Sequence, residues 1–164
     1  MVQHLDQTRV IYAVDPGDVH CGVARFEFHV KQDAWHCAST DELSPDGLIR
    51  EVADGLALGL FAAIVVEDFI LDGSLAVQQA GSKMETSQTI GVIKHLVGAD
   101  PSDVRLEIQN RQIKTPTRSI LRARGIKSRA KLSKSGGHAF DAELHGHYFI
   151  GHTIEHPVTS PQED

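Results

Sequence analysis

Four residues in the chain have side chains suited to holding divalent metal ions. Asp15 and Glu67 each follow an apolar segment, and His138 and Asp141 lie three residues apart, which would place them on one face of a helix. Clustered carboxylates repel one another unless cations neutralise them, and oxygen-rich sites suit Mg²⁺ or Mn²⁺. Two such ions about 3.5–4 Å apart are a common device for hydrolysing a phosphodiester. The four residues are therefore candidates for a two-metal hydrolytic site.

Two apolar segments would have to position the first pair of acids. Residues 10–14 and 62–66 have the composition of strands that are buried on both faces. If the two strands are parallel neighbours, Asp15 and Glu67 emerge side by side at the carboxyl edge of the sheet, where open α/β sheets place their chemistry. Taken singly, each acid has a simpler interpretation, because Asp-Pro-Gly is typical of a turn and an acid that ends a strand usually faces solvent. Their convergence is what favours a site.

The order of the predicted elements is β-β-β-α-β-α-β-α. Short turn sequences separate the first three strands, which indicates an antiparallel meander, whereas the later strands alternate with helices. We therefore predict an α/β fold, a mixed five-stranded sheet with an antiparallel meander and two parallel strands, flanked by helices. A long helix ends near Gly98 and the last helix begins near Gly137. We expect one domain over residues 1–152 and a short mobile tail over 153–164.

Charge is distributed unevenly along the chain. The 164 residues have a formal net charge of −6, which read alone argues against a nucleic-acid binder. Residues 105–135, however, contain ten Lys and Arg residues and a single acid, Glu107. Such a dense cationic segment is typical of contacts with a phosphate backbone, and its lack of interleaved aromatics disfavours base stacking as the main mode of binding.

Several stretches resemble the RuvC-type Holliday junction resolvases of the RNase H-like (retroviral integrase) superfamily. The catalytic motifs of that family are similar to VIYAVDPG at 10–17, IVVEDF at 64–69 and HAFDA at 138–142. SQTIGVI at 87–93 resembles the long helix after the second motif, and QNRQIK at 109–114 resembles the basic segment after the fifth strand. The resemblance extends over about residues 9–149 in the expected order. It implies the RNase H-like fold and a structure-selective endonuclease that acts on branched DNA.

The same resemblance implies the catalytic set and its products. Asp15, Glu67, His138 and Asp141 would bind two Mg²⁺ or Mn²⁺ ions in each active site. Many relatives have aspartate in the place of His138, and a neutral imidazole ligates a metal without adding negative charge. The family implies a homodimer whose two sites face a four-way junction and leave 5′-phosphate and 3′-hydroxyl ends. The helix over about residues 75–98 is the element expected to pair.

The charge pattern and the resemblance together predict the DNA contacts. Phe69 lies two residues after Glu67, where relatives place an aromatic wedge at the junction point, although a core phenylalanine is an equally good interpretation. The glycines and serines of residues 128–137 suggest a segment that DNA orders. The predicted DNA-binding residues are Phe69, Arg111, Lys114, Arg118, Arg122, Arg124, Lys127, Arg129, Lys131 and Lys134.

Other functions stay open at this level. Another RNase H-like nuclease that cuts an RNA–DNA hybrid, a flap or a fork would use the same acids, and a degenerate resolvase that binds branched DNA without cutting would be consistent with His138. An actin-like ATPase needs a second phosphate-binding half, for which 164 residues leave little room. The C-terminal histidines also suggest zinc, but no cysteines accompany them. His145 fits better as a partner of the metal ligands or as a general acid.

The remaining features favour a cytoplasmic protein. The polar N-terminus lacks the apolar stretch of a signal peptide, and no apolar segment approaches the roughly 18 residues that cross a bilayer. Cys21 and Cys37 form neither a CxxC pair nor a disulfide framework, which indicates two buried thiols in a reducing compartment. We expect no membrane partner and no small-molecule cofactor. The compact chain and its departures from the bacterial pattern suggest a phage-encoded or accessory resolvase, which would act in the host cytoplasm if it is phage-encoded.

Overall fold

A central sheet and four helices make up the computed structural model, which describes residues 8–69, 85–130 and 137–154. The strands are β1 (Val10–Asp15), β2 (Cys21–His29), β3 (Ala34–Leu43), β4 (Phe61–Glu67) and β5 (Arg105–Gln109). The helices are α1 (Pro45–Ala57), α2 (Glu85–Ala99), α3 (Lys114–Ala123) and α4 (His138–Phe149), and a π-helical turn, Ile150–Ile154, continues α4. Single 3₁₀ turns, Val30–Gln32 and Arg111–Ile113, follow β2 and precede α3.

The sheet is mixed and has the strand order β3-β2-β1-β4-β5. Strands β1, β2 and β3 pair antiparallel, whereas β4 is parallel to both β1 and β5. The short connections between the first three strands permit only antiparallel pairing, and the crossovers that carry helices produce the parallel pairs. Val14 lies opposite Val66, so the next residues, Asp15 and Glu67, end adjacent parallel strands. The predicted mixed five-stranded sheet is confirmed.

The two faces of the sheet bury two separate apolar clusters. Side chains alternate along β1, so that Tyr12 and Val14 contact one cluster while Ile11 and Ala13 contact the other. Helices α1 and α2 complete the first cluster, with Leu48, Val52, Ile90 and Ile93, and α4 completes the second through Ala142 and Phe149. Helix α4, which carries the third motif, therefore lies across the sheet on the face opposite α1.

A close approach between Gly22 of β2 and the first turn of α4 sets the height of that helix above the sheet. A Cβ atom added at Gly22 would overlap the backbone of His138 and Ala139. Backbone cannot yield as a flexible side chain can, so only glycine allows α4 to begin at this place. The position of His138 thus depends on a residue of a different element.

Gly22→Ala is expected to lower the free energy of unfolding by about 2 kcal/mol or more, because the added methyl group must push α4 away from β2. The same displacement moves His138, so the metal affinity of the folded variant should also fall. Urea denaturation and metal titration measure the two effects. Gly151→Ala in the turn after α4 is the control, since a Cβ there meets nothing within 4 Å. Equal stability of Gly22→Ala and Gly151→Ala would contradict the prediction.

Some predictions extend past the residues that the structure describes. The long helix, predicted over about 75–98, is described as α2 from Glu85 to Ala99, and residues 70–84 lie outside the described part. The predicted tail begins at 153, whereas the helical turn after α4 continues to Ile154, and residues 155–164 are outside the described part. Within the described ranges, no helix is both long and apolar enough to span a membrane.

Candidate active site

The four residues predicted as metal ligands meet at the carboxyl edge of the sheet. Asp15 ends β1 and Glu67 ends β4, while His138 and Asp141 lie in the first turn of α4. The His138 Nδ1 atom lies 2.5 Å from Asp15 Oδ2. Gly137 adopts a φ of +83°, a conformation that glycine readily allows, and its carbonyl accepts from the Asp141 amide at 3.0 Å. Three separate elements thus bring their acids to one place.

Lys114 links the remaining two acids of this cluster. Its Nζ atom donates to Glu67 Oε2 at 2.8 Å and to Asp141 Oδ2 at 2.9 Å, and 21% of its side chain is exposed. Burial opposes the charge on Lys114, but the hydrogen bonds to Glu67 and Asp141 raise its pKa above the ordinary value. Lys114, predicted as a contact to DNA, therefore lies at the first residue of α3 inside the carboxylate cluster, where its ammonium group neutralises negative charge.

Asp15 and Glu67 differ sharply in the ease with which they ionise. Asp15 is 5% exposed, and burial with the neighbouring Glu67 raises its pKa to about 6 even though the hydrogen bond with His138 acts in the opposite direction. Burial also tends to raise the pKa of Glu67, but hydrogen bonds with His145, Asp15 and Lys114 outweigh it, so that pKa lies well below its usual range. In the absence of a metal, a proton on the pair resides mainly on Asp15.

Asp15→Asn is expected to stabilise the metal-free protein at neutral pH. The pKa of Asp15 is 3.8 in its ordinary state and about 6 in the folded chain, so between these values the folded state binds more protons. The free energy of unfolding therefore falls as pH rises through this window, and at pH 7 the buried charge costs stability. Asparagine removes that cost, which we place at about 1–2 kcal/mol after discounting the coupling to Glu67.

Thermal unfolding in EDTA at pH 7.5 and pH 4.5 tests this expectation. The Asp15→Asn variant should gain more in Tm over the unmutated protein at pH 7.5 than at pH 4.5. Asp68→Asn, which changes the half-buried acid beside Glu67, controls for a general loss of negative charge. A lower Tm of Asp15→Asn at pH 7.5 is incompatible with an energetically costly Asp15 charge.

His145 forms a buried brace behind Glu67. Its side chain is fully buried, with Nε2 2.9 Å from Glu67 Oε2 and Nδ1 2.9 Å from Gln109 Oε1. Gln109 ends β5 directly opposite Glu67 in the parallel register and is itself 5% exposed. The sequence indicated His145 only as a neighbour of the metal ligands, one helical turn after Asp141, and gave no signal for Gln109. The role of Gln109 as the partner of His145 follows from the register of β4 and β5.

The predicted DNA-binding residues lie at different places around this cluster. Arg118 extends over the ring of Phe140, 5.1 Å from its centroid, and reaches to 3.8 Å from Asp141 Oδ1. Phe69 is half-buried and packs against the apolar cluster beneath α1 and α2. Lys131 and Lys134 lie outside the described residues. The exposed members of the set are Arg111, Arg118, Arg122, Arg124, Lys127 and Arg129.

The chemistry of the cluster fits hard divalent cations. Three carboxylates and an imidazole converge from β1, β4 and α4, and the ammonium group of Lys114 already occupies a cationic position between two of them. Mg²⁺ and Mn²⁺ prefer such oxygen donors. Within the described ranges, no three His, Cys, Asp or Glu side chains form a ready-made metal site. Binding would therefore require Lys114 to move from its bridging position.

Comparison with known proteins bears on the fold. No protein-family model and no curated protein sequence matches the chain. The fowlpox virus Holliday junction resolvase superposes with a TM-score of 0.57 at 15% identity, over 87% of this chain and 98% of that one. RuvC of Thermus thermophilus, solved in complex with a Holliday junction substrate, gives 0.58 at 16% identity, over 88% of this chain and 98% of that one.

The chain has the fold of the RuvC-type resolvases. The yeast mitochondrial Holliday junction resolvase also shares it, with a TM-score of 0.51 and 9% identity over 94% of this chain and 84% of that one. The RNase H-like fold predicted from the three motifs is thereby confirmed. At identities this low the likeness establishes the RuvC-type fold, and the function must be argued from the site itself.

Proposed function

We propose that the protein is a divalent-metal-dependent endonuclease that cuts branched DNA, with the four-way junction as its substrate. The observation that carries this proposal is the meeting of Asp15, Glu67 and Asp141 at one edge of a resolvase-like fold, beside the cationic surface of α3. An acidic cluster that only served stability would be unfavourable, because buried like charges repel. A cationic surface next to it supplies the attraction that brings a phosphate to these acids.

In this proposal each residue of the cluster has a task. Asp15, Glu67, His138 and Asp141 would hold two Mg²⁺ or Mn²⁺ ions, which when bound activate water and stabilise the leaving 3′ oxygen, so that 5′-phosphate and 3′-hydroxyl ends result. Lys114 neutralises the acids before the metals arrive, and once displaced by them it would be a cation available to the scissile phosphate. The other cations hold the DNA backbone.

The proposal includes a homodimer and a cytoplasmic setting. Two copies would present two sites to the two symmetry-related strands of a junction, and α2, which exposes Val92 and has open space beside Gly91 and Gly98, is the element that would pair. The phage-encoded origin stays a prediction.

A second function has its own support. Lys114 fills the space between Glu67 and Asp141, and His138 stands where an acid would add negative charge. Both features favour a module that recognises branched DNA without cutting it. The two functions differ in whether metal displaces Lys114, and cleavage is the decisive measurement.

A substrate panel tests the proposed function. Labelled four-way junction, flap, fork, RNA–DNA hybrid and linear duplex of matched sequence are incubated with the protein in Mg²⁺ and in Mn²⁺. We expect the junction to be cut fastest, with paired symmetric nicks. Faster cleavage of the hybrid would assign the protein to a different nuclease class. Tight junction binding with no cleavage in either metal would establish the binding module instead.

A further inference from the structure

A second concave site lies on the α4 face of the sheet, away from the carboxylate cluster. It is a cavity of about 490 Å³ between β3, α3, the segment after α3 and the C-terminal half of α4. Volumes of this size are typical of sites for small molecules or single nucleotides. None of the four predicted metal ligands and no part of Lys114 lines it.

The lining of this cavity is rich in cations and imidazoles. Strand β3 contributes His36, the segment after α3 contributes cationic side chains, and α4 with its π-helical turn contributes two more imidazoles. Within the described ranges, none of the three Lys and Arg side chains has an acidic partner. Such a surface selects an anion. The lysine, arginine and histidine residues of the lining are Arg124, Lys127, Arg129, His36, His147 and His152.

Within the part of the chain that the structure describes, the lining contains one acid, Glu143, whose carboxylate is already hydrogen-bonded to the protein. Glu143 is 1% exposed, and its carboxylate accepts from the Ser128 hydroxyl at 2.5 Å, from the Arg129 amide at 3.0 Å and from the Ala130 amide at 3.1 Å. The neighbouring His147 imidazole and these three bonds lower the pKa of Glu143 despite its burial, and the three bonds fasten to α4 the segment that carries the cations. The negative charge of Glu143 therefore stabilises the segment that forms one wall of the cavity.

One buried imidazole nitrogen of a lining residue, His36 Nδ1, has no hydrogen-bond partner within the described ranges. His147 Nε2, in contrast, lies 3.6 Å from Glu143 Oε1, one helical turn earlier on α4. Buried polar atoms are usually paired, so the His36 nitrogen calls for a ligand or water. Imidazole N–H groups and guanidinium groups together are suitable donors for phosphate oxygens.

We propose that this cavity is a second phosphate-binding site, which holds the backbone of a DNA strand a few nucleotides away from the cleaved bond. The proposal rests on the nuclease function inferred above. Asp141 and His147 lie six residues apart on α4, about 9 Å along its axis. One helix would thus connect the carboxylate cluster to a backbone clamp a short way along the same DNA strand.

Junction binding by charge variants tests the clamp. Lys127→Gln and Arg124→Gln change exposed side chains and are combined in a background of Glu67→Gln, which prevents cleavage. We expect affinity for the junction to fall on the order of tenfold, and the slope of log K against log salt to become shallower by about 2. Arg50→Gln, on α1 across the sheet, is the matched control and should change neither quantity.

A loss in the double variant no larger than in Arg50→Gln would overturn the clamp. If the unmutated protein binds the junction no better than linear duplex, the proposed function is contradicted. The cavity itself is then tested directly. For that purpose, histidine ring signals are followed by NMR while a 5′-phosphorylated dinucleotide or inorganic phosphate is added to the unmutated protein. Signals of His36 and His147 should shift and that of His95 on α2 should not.

The two probes distinguish the sources of the phosphate. Stronger shifts with the dinucleotide than with inorganic phosphate support a DNA strand as the occupant. Equal shifts with both would assign the cavity to free phosphate and overturn the assignment to DNA. Absence of any shift at His36 and His147 overturns the site altogether, whatever the outcome of the junction measurements.

Discussion

Glu67→Gln is expected to abolish cleavage of a four-way junction, with a rate loss of about 10³-fold or more, while binding of the junction is kept. Glutamine has the size of glutamate but no charge, and the loss of a carboxylate ligand removes several kcal/mol of the stabilisation that a metal gives to the transition state. The hydrogen bonds to Lys114 and His145 can persist through the amide oxygen. Binding should be equal or tighter, because a negative charge beside the phosphate disappears.

Single-turnover cleavage and equilibrium binding measure the two expectations separately. Asp68→Asn is the matched control, because it removes a carboxylate one residue along the chain, at a position whose backbone amide donates to the Gln109 carbonyl. We expect this control to cut at the unmutated rate. Full cleavage activity of Glu67→Gln, or an equal loss of cleavage activity in Asp68→Asn, would show that Glu67 is not part of the active site.

Much of the architecture follows from patterns that are local in sequence. The apolar runs that end at Asp15 and Glu67 predict two central strands, and their parallel pairing places both acids at one edge. The spacing of His138 and Asp141 predicts one helical face, and both lie in the first turn of α4. These features are accessible because burial on both faces and helical periodicity leave strong signatures in the sequence.

Contacts between distant segments are harder to predict. Lys114 is one cation among ten in a basic segment, and only the entry of α3 at the end of β5 directs it toward Glu67. Asp18 has the sequence context of a solvated turn acid, yet its carboxylate accepts from the amide and the hydroxyl of Thr86 at the start of α2. Gln109 joins the site through strand register. Each depends on the packed fold, which the local pattern does not encode.

The second large effect is expected at His145, whose buried ring contacts the carboxylate of Glu67. His145→Phe is expected to lower cleavage by about 10- to 100-fold, since partners that orient a metal ligand typically contribute this much to metal affinity or activity. Phenylalanine fills the buried space but donates no hydrogen bond, so Glu67 loses the contact that fixes its carboxylate and helps to depress its pKa. The metal concentration at half-maximal rate should therefore rise.

A positioning role differs from a purely structural one in what restores activity. A high concentration of Mn²⁺ should recover much of the cleavage rate of His145→Phe, because the metal ligand Glu67 is intact. His145→Gln can still donate to Glu67, so its cleavage rate should lie between those of the unmutated protein and His145→Phe. A merely structural histidine would lower Tm without moving the metal concentration at half-maximal rate. His95→Gln on α2 controls for the loss of an imidazole. An unchanged metal dependence in His145→Phe would contradict this positioning role, since among the four predicted metal ligands it is Glu67 whose carboxylate contacts this buried ring.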